Sequence, residues 1–186
     1  MSRNRVGTER GGISFDYAGP QGVLVENEML GLTPNVDKDD NGSVKYQQWD
    51  DALQFVRENQ RGEPSDPSAR FANDLHATIA EMLDLDDYSR LKYYTAVGSA
   101  LDKYHSIDGF FEFQVDPENP KDIVCVTFDL TTNPNKNDYK ADFVIYVPAE
   151  GIDPKEDKED YAKLLKDNAK MIAARFKPYC KEEAVA

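Results

Sequence analysis

Cysteine and histidine are nearly absent from this chain. Two of each occur in 186 residues: Cys125 lies inside an apolar run, Cys180 stands near the C-terminus, and His76 and His105 are far apart. So small and dispersed a set argues against a zinc cage. Nor is it the pattern of a disulfide-stapled secreted fold, which leaves a reduced, cytoplasmic setting as the expectation. Long apolar runs are missing too. None approaches the roughly twenty residues of a membrane span, and the opening MSRNRVGTERGG has no apolar signal core, so a soluble protein with no membrane role is expected. Positive charge is scarce: 22 Lys and Arg face 35 Asp and Glu, giving a net charge of −13 and a pI near 4.6. That balance works against non-specific attraction to a phosphate backbone, which relies on Lys and Arg, and suits a basic partner or a bound cation. There is also no GxSxG elbow, no GxxxxGK[ST] loop and no GxGxxG after a strand.

What is present is enough for a folded domain, since 40% of the residues are hydrophobic and the length suffices for one domain of ordinary size plus an appendage. Residues 1–12 combine Arg3, Arg5 and Arg10 with three glycines and read as a flexible arm. Between Ile13 and Leu32 the apolar positions are scattered, so irregular structure is expected, with Val23 to Val25 the best short strand. NQRGEPSDP at 59–67 has a linker's composition. It divides the chain into an N-terminal arm and appendage over 1–62 and a main domain over 63–186.

The appendage contains DKDDNGSVKYQQ at 37–48. Asp37, Asp39 and Asn41 stand at positions one, three and five of an EF-hand loop, with Ser43 at seven and Gly42 at the tight turn. Alternate oxygens of this kind can wrap a calcium ion, but the same residues make an ordinary Asp/Asn/Gly turn. Gln48 replaces the bidentate glutamate and weakens any such site. An amphipathic helix follows, with Trp49, Leu53 and Val56 on one face.

In the main domain, Phe71, Leu75, Ile79 and Met82 mark one helix, and Asp66-Pro67 is positioned to open it. Leu91, Tyr94, Val97, Leu101 and Tyr104 mark a second helix over about 88–104. Three strands are expected at about 109–115, 122–131 and 140–148, joined by turn-rich loops that favour antiparallel pairing. A last helix runs from after Asp153-Pro154 to about Phe176. The fold class is therefore α/β in the broad sense (α+β), a small central sheet of at least three strands flanked by helices. Asp108 immediately precedes one apolar strand, Asp129 lies towards the end of the next, and Lys136 follows on a polar turn. Two acids and a lysine on adjacent strands can hold a divalent cation and orient water, although ordinary strand ends produce the same spacing.

GSALD, then SIDGFFEF, then VTFDLTTNPNK resembles the core of the PD-(D/E)XK nuclease-like superfamily. There a helix with an acidic residue precedes strands bearing Asp and then Asp/Glu-x-Lys. The resemblance spans about residues 88–176. It implies a restriction-endonuclease-like core and Mg²⁺- or Mn²⁺-dependent hydrolysis of nucleic-acid phosphodiesters, with Asp108 and Asp129 as metal ligands and Asp102 as the helix acid. The pattern breaks two residues after Asp129, where Thr131 replaces the lysine. Lys136 is the first candidate to supply that charge and Lys140 the second. The alternatives are an acidic protein without enzymatic activity that binds a basic partner, or a calcium-binding protein.

Overall fold

The computed structural model describes residues 20–137 and 139–180. The arm at 1–12 and the segment 13–19 lie outside the described residues. The elements are α1 (Pro20–Leu30), α2 (Trp49–Asn59), α3 (Arg70–Met82), β1 (Leu91–Thr95), α4 (Ala100–His105), β2 (Gly109–Gln114), β3 (Ile123–Thr131), β4 (Phe143–Tyr146) and α5 (Lys158–Phe176). The four strands form one sheet in the order β1-β2-β3-β4. β1/β2 and β2/β3 are antiparallel, whereas β3/β4 is parallel. This is the α+β class expected from the alternating apolar patterns.

The pleat sorts side chains onto two faces. Tyr93, Phe111, Phe113, Phe128, Leu130 and Ile145 project into the larger core, shared with Leu75 and Ile79 of α3 and Ile172 and Phe176 of α5. Tyr94 and Phe110 project into a smaller core with Leu53 and Val56 of α2 and Leu101 of α4. Their rings stack at 4.9 Å between centroids. The segment before the linker thus supplies one layer of the fold. Its Arg57 Nε donates to buried Glu112 on β2 at 2.7 Å, tying that layer to the sheet.

Several expectations need correction. The helix over 88–104 is a 3-10 turn, strand β1 and the short helix α4. β1 is buried on both faces, so its apolar residues follow no two-residue alternation and a spacing of three or four appears by coincidence. Gly98, at φ +82°, turns the chain, and the Ser99 hydroxyl then caps α4 by accepting from Leu101 N–H and Asp102 N–H. The strand at 23–25 is the middle of α1, for which Pro20 supplies a first residue with preset φ. Asp66 does not cap α3, since its Oδ1 accepts from Asn73 Nδ2 at 2.9 Å and the helix begins at Arg70. α5 begins only at Lys158, because Asp153 Oδ1 accepts from Lys155 N–H and closes a turn first.

β4 runs parallel to β3 instead of antiparallel. Asp142 explains where the returning chain docks. Its Oδ2 accepts from both Thr127 N–H and Thr127 Oγ1 at 2.9 Å, and its own N–H donates back to Thr127 Oγ1 at 3.1 Å. The chain is therefore fastened beside the middle of β3 before β4 starts, and from there β4 extends in the direction β3 takes.

Candidate functional site

Three acids expected to matter gather at one end of the sheet. Asp108 sits just before Gly109, whose ladder partner is Phe128. Carrying that register one step further places Asp108 opposite Asp129. Both fall on the α2/α4 face, since Phe128 and Leu130 project into the other core. Backbone bonds fix the junction: Asp108 N–H donates to Phe128 O at 3.0 Å, and Ala96 N–H donates to Asp108 O at 2.8 Å. The Asp108 carboxylate is buried, and its Oδ2 accepts from Leu130 N–H at 2.7 Å. Asp102, in the first turn of α4, accepts from Gly98 N–H through Oδ2 at 2.7 Å.

Burial is the largest influence on the Asp102 and Asp108 carboxyls. It pushes Asp102 up to about 6, with Asp129 adding to the rise and the Gly98 N–H bond, Lys103 and Lys136 opposing it. Asp108 is raised well above the ordinary range by burial first, then by the negative charges of Asp102, Asp129 and Glu26. Glu26 belongs to α1. Its participation was not anticipated, because 13–32 read as irregular. The available signal was Pro20 opening a run in which Val25 and Met29 fall one helical turn apart.

Lys136 supplies the opposing charge. Its Nζ stands 2.7 Å from Asp129 Oδ2, and the two side chains are only 8% and 4% exposed. That oxygen is buried and accepts no hydrogen bond from any described residue, so the contact is an ion pair off the hydrogen-bond direction. Thr131, two residues after Asp129, starts the turn that returns Lys136. Its Oγ1 accepts from Asn133 N–H at 3.2 Å, and Asn133 O accepts from Lys136 N–H at 3.2 Å. Tyr146 of β4 donates its hydroxyl to Lys136 O at 3.1 Å. The other candidate, Lys140, points elsewhere, its Nζ lying 3.5 Å from Tyr104 O.

The 37–48 loop stands apart from this cluster. It is a tight hairpin with a bridge between Lys38 and Val44 and Gly42 at φ +79°. Asp39 Oδ1 accepts from Asn41 N–H and Ser43 N–H, both at 2.9 Å, and Asp37 Oδ2 faces Lys45 Nζ at 3.1 Å. Both carboxylates are engaged in holding the turn. The histidines are likewise structural: buried His76 donates through Nε2 to Leu91 O at 2.8 Å, and His105 Nε2 contacts Gln47 O at 3.0 Å.

Among the described residues no three His, Cys, Asp or Glu side chains form a ready-made metal cage. The donor set at the sheet end is a carboxylate pair with a lysine beside it. Such a set is adequate for Mg²⁺, which keeps most of its waters and binds through one or two carboxylates and substrate phosphates. Compared with protein-family models, curated proteins and solved structures, the chain has no match.

Proposed function

We propose that the chain is a divalent-metal-dependent, nuclease-like protein acting on nucleic-acid phosphodiesters. The observation that carries this reading is the placement of Asp108 and Asp129 at opposed register positions, with the Lys136 ammonium 2.7 Å from Asp129. Burial and the negative charges of Asp102, Asp129 and Glu26 hold the Asp108 carboxylate at an energetic disadvantage that a cation relieves. Asp108 and Asp129 would hold Mg²⁺ or Mn²⁺, and Asp102 and Glu26 add negative charge around them. When bound, such an ion polarises a phosphoryl oxygen and lowers the pKa of a water. Lys136 holds a positive charge beside Asp129, positioned to favour the extra negative charge that develops on a phosphate under attack. Leu130 N–H and Gly98 N–H orient the carboxylates of Asp108 and Asp102.

A second reading is a protein that binds a basic partner without catalysis, favoured by the net charge of −13. One assay separates the two. Single- and double-stranded DNA and RNA are incubated with Mg²⁺ or Mn²⁺ and with wild type, Asp129→Asn or Lys136→Met. Cleavage by wild type that both variants lose by a factor of a hundred or more supports the enzyme. Absence of metal-dependent cleavage on all four substrates, or cleavage that survives Asp129→Asn, overturns it.

A further inference from the structure

The two edges of the sheet are treated differently. On the β1 side the outer edge is occupied: Tyr93 N–H donates to Pro64 O at 2.8 Å and Thr95 N–H to Gln60 Oε1 at 3.1 Å. Among the described residues β4 has β3 on one side only. Beside it opens a groove of about 620 Å³ between the strand and α5. Its apolar lining comes from Val144, Ile152, Leu164 and Met171, together with the ring of Tyr146. Met171 and Tyr146 are 41% and 44% exposed, which is high for large apolar side chains of a folded domain.

The charge of the groove is one-sided. Glu150, Asp157, Asp160 and Asp167 line it against the single cation Lys163. Among the described residues, Glu150, Asp160 and Asp167 have no ion-pair partner, while Asp157 Oδ2 accepts from Asp153 N–H at 3.0 Å. These carboxylates would repel a phosphate backbone, so the groove is not a track for nucleic acid. An open strand edge offers main-chain hydrogen bonds, an apolar floor takes alternate side chains, and the acids select for Lys or Arg.

We propose that the groove between β4 and α5 is a docking site for an extended basic peptide of a partner protein, which adds as a strand along β4 so that every second side chain faces α5, apolar ones against Leu164 and Met171 alternating with basic ones against Asp160 and Asp167. The proposal deepens the basic-partner reading and is independent of the nuclease reading.

The test uses the full chain and a fluorescein-labelled eight-residue peptide of the repeat Arg-Thr-Val-Thr (the Arg/Val peptide), in which the side chains on one face alternate between Arg and Val, with a Glu-Thr-Val-Thr peptide of equal length as control. Anisotropy should show saturable binding of the Arg/Val peptide only, weakened at least tenfold in Asp160→Lys/Asp167→Lys and unchanged in Asp122→Asn, an exposed acid outside the groove. Both substituted acids are exposed, so the double variant should fold. Amide hydrogen exchange at Val144 to Tyr146 in wild type should slow when the peptide binds. Binding of the Arg/Val peptide that is indifferent to the double substitution and leaves β4 exchange unchanged would overturn the groove while sparing the basic-partner reading. No binding at all would remove both. Displacement of the peptide by a single-stranded oligonucleotide, or self-association through β4 that the peptide cannot compete, would also overturn it.

Discussion

Lys136 Nζ lies 2.7 Å from Asp129 Oδ2 although Thr131, not a lysine, stands two residues after the acid. A longer path delivers the same charge. Thr131 and Asn133 each close a short turn, and the lysine side chain comes back over the end of the sheet. Burying an ammonium is costly unless acids surround it, and here Asp129 faces it directly while Lys136 also influences Asp102.

Lys136→Met should therefore be damaging. The truncation leaves Asp129 buried beside Asp108 without its cation, which costs about 3 kcal/mol when a buried pair is broken one-sidedly. Urea denaturation at pH 7.5 measures it. A loss under about 1 kcal/mol would show that the ammonium contributes nothing to holding the carboxylates together.

Gly109 controls how the two strands approach beside the site. A Cβ there would meet Phe128 Cζ at 2.5 Å and Tyr94 O at 3.1 Å. Gly109→Ala must push the Phe128 ring or β2 itself aside, and overpacking of this kind costs about 1–3 kcal/mol. Since Asp108 is the next residue, the displacement should also weaken any metal response. A thermal melt matching wild type would mean that Phe128 finds another rotamer at no cost.

How far the sequence disclosed this arrangement depended on which neighbours each segment has. β2 and β3 were legible because apolar runs bounded by turn residues mark them, and Asp108 and Asp129 were legible with them. β1 was not, since Tyr93 and Tyr94 face opposite cores and both are buried. The direction of β4 was hidden because the returning chain docks through Asp142 on Thr127, a contact between residues far apart in the turn-rich sequence. Glu26 was hidden because α1 is held by tertiary contacts, such as Tyr93 Oη donating to Leu30 O at 3.0 Å.

Two groups should give the pH dependence of stability opposite slopes. Burial raises Asp102 from 3.8 to about 6, so between those values the folded chain keeps a proton that the unfolded chain has released. Stability from this group falls as pH rises from about 4 to about 6, and Asp108 acts in the same direction. Burial lowers His76 below 6.5, so on acidification the unfolded chain gains a proton first and stability falls as pH drops below that value. In chelator at pH 7.5, Asp102→Asn should add roughly 2 kcal/mol and flatten the first slope. His76→Gln should flatten the second. Parallel pH profiles for wild type and either variant would contradict the assignment.

Metal binding should reverse the disadvantage of the carboxylate cluster. Without a cation, burial and the neighbouring negative charges raise the proton affinity of Asp102 and Asp108, and Lys136 opposes part of that rise at Asp102. An ion that binds the folded chain alone stabilises it by mass action, by about 2.7 kcal/mol at a hundredfold excess over its dissociation constant. Mn²⁺ should accordingly raise the melting temperature, more at pH 8 than at pH 5.5, because protons compete for the same oxygens. Asp129→Asn and Asp108→Asn should each abolish the shift, whereas Asp122→Asn, an exposed position just before β3, should leave it intact. Comparing the shift itself, rather than the melting temperature, keeps the test clear of any instability the substitutions cause in the absence of metal. An equal shift in wild type and Asp129→Asn would place the ion elsewhere and remove the carboxylate pair as its binding site.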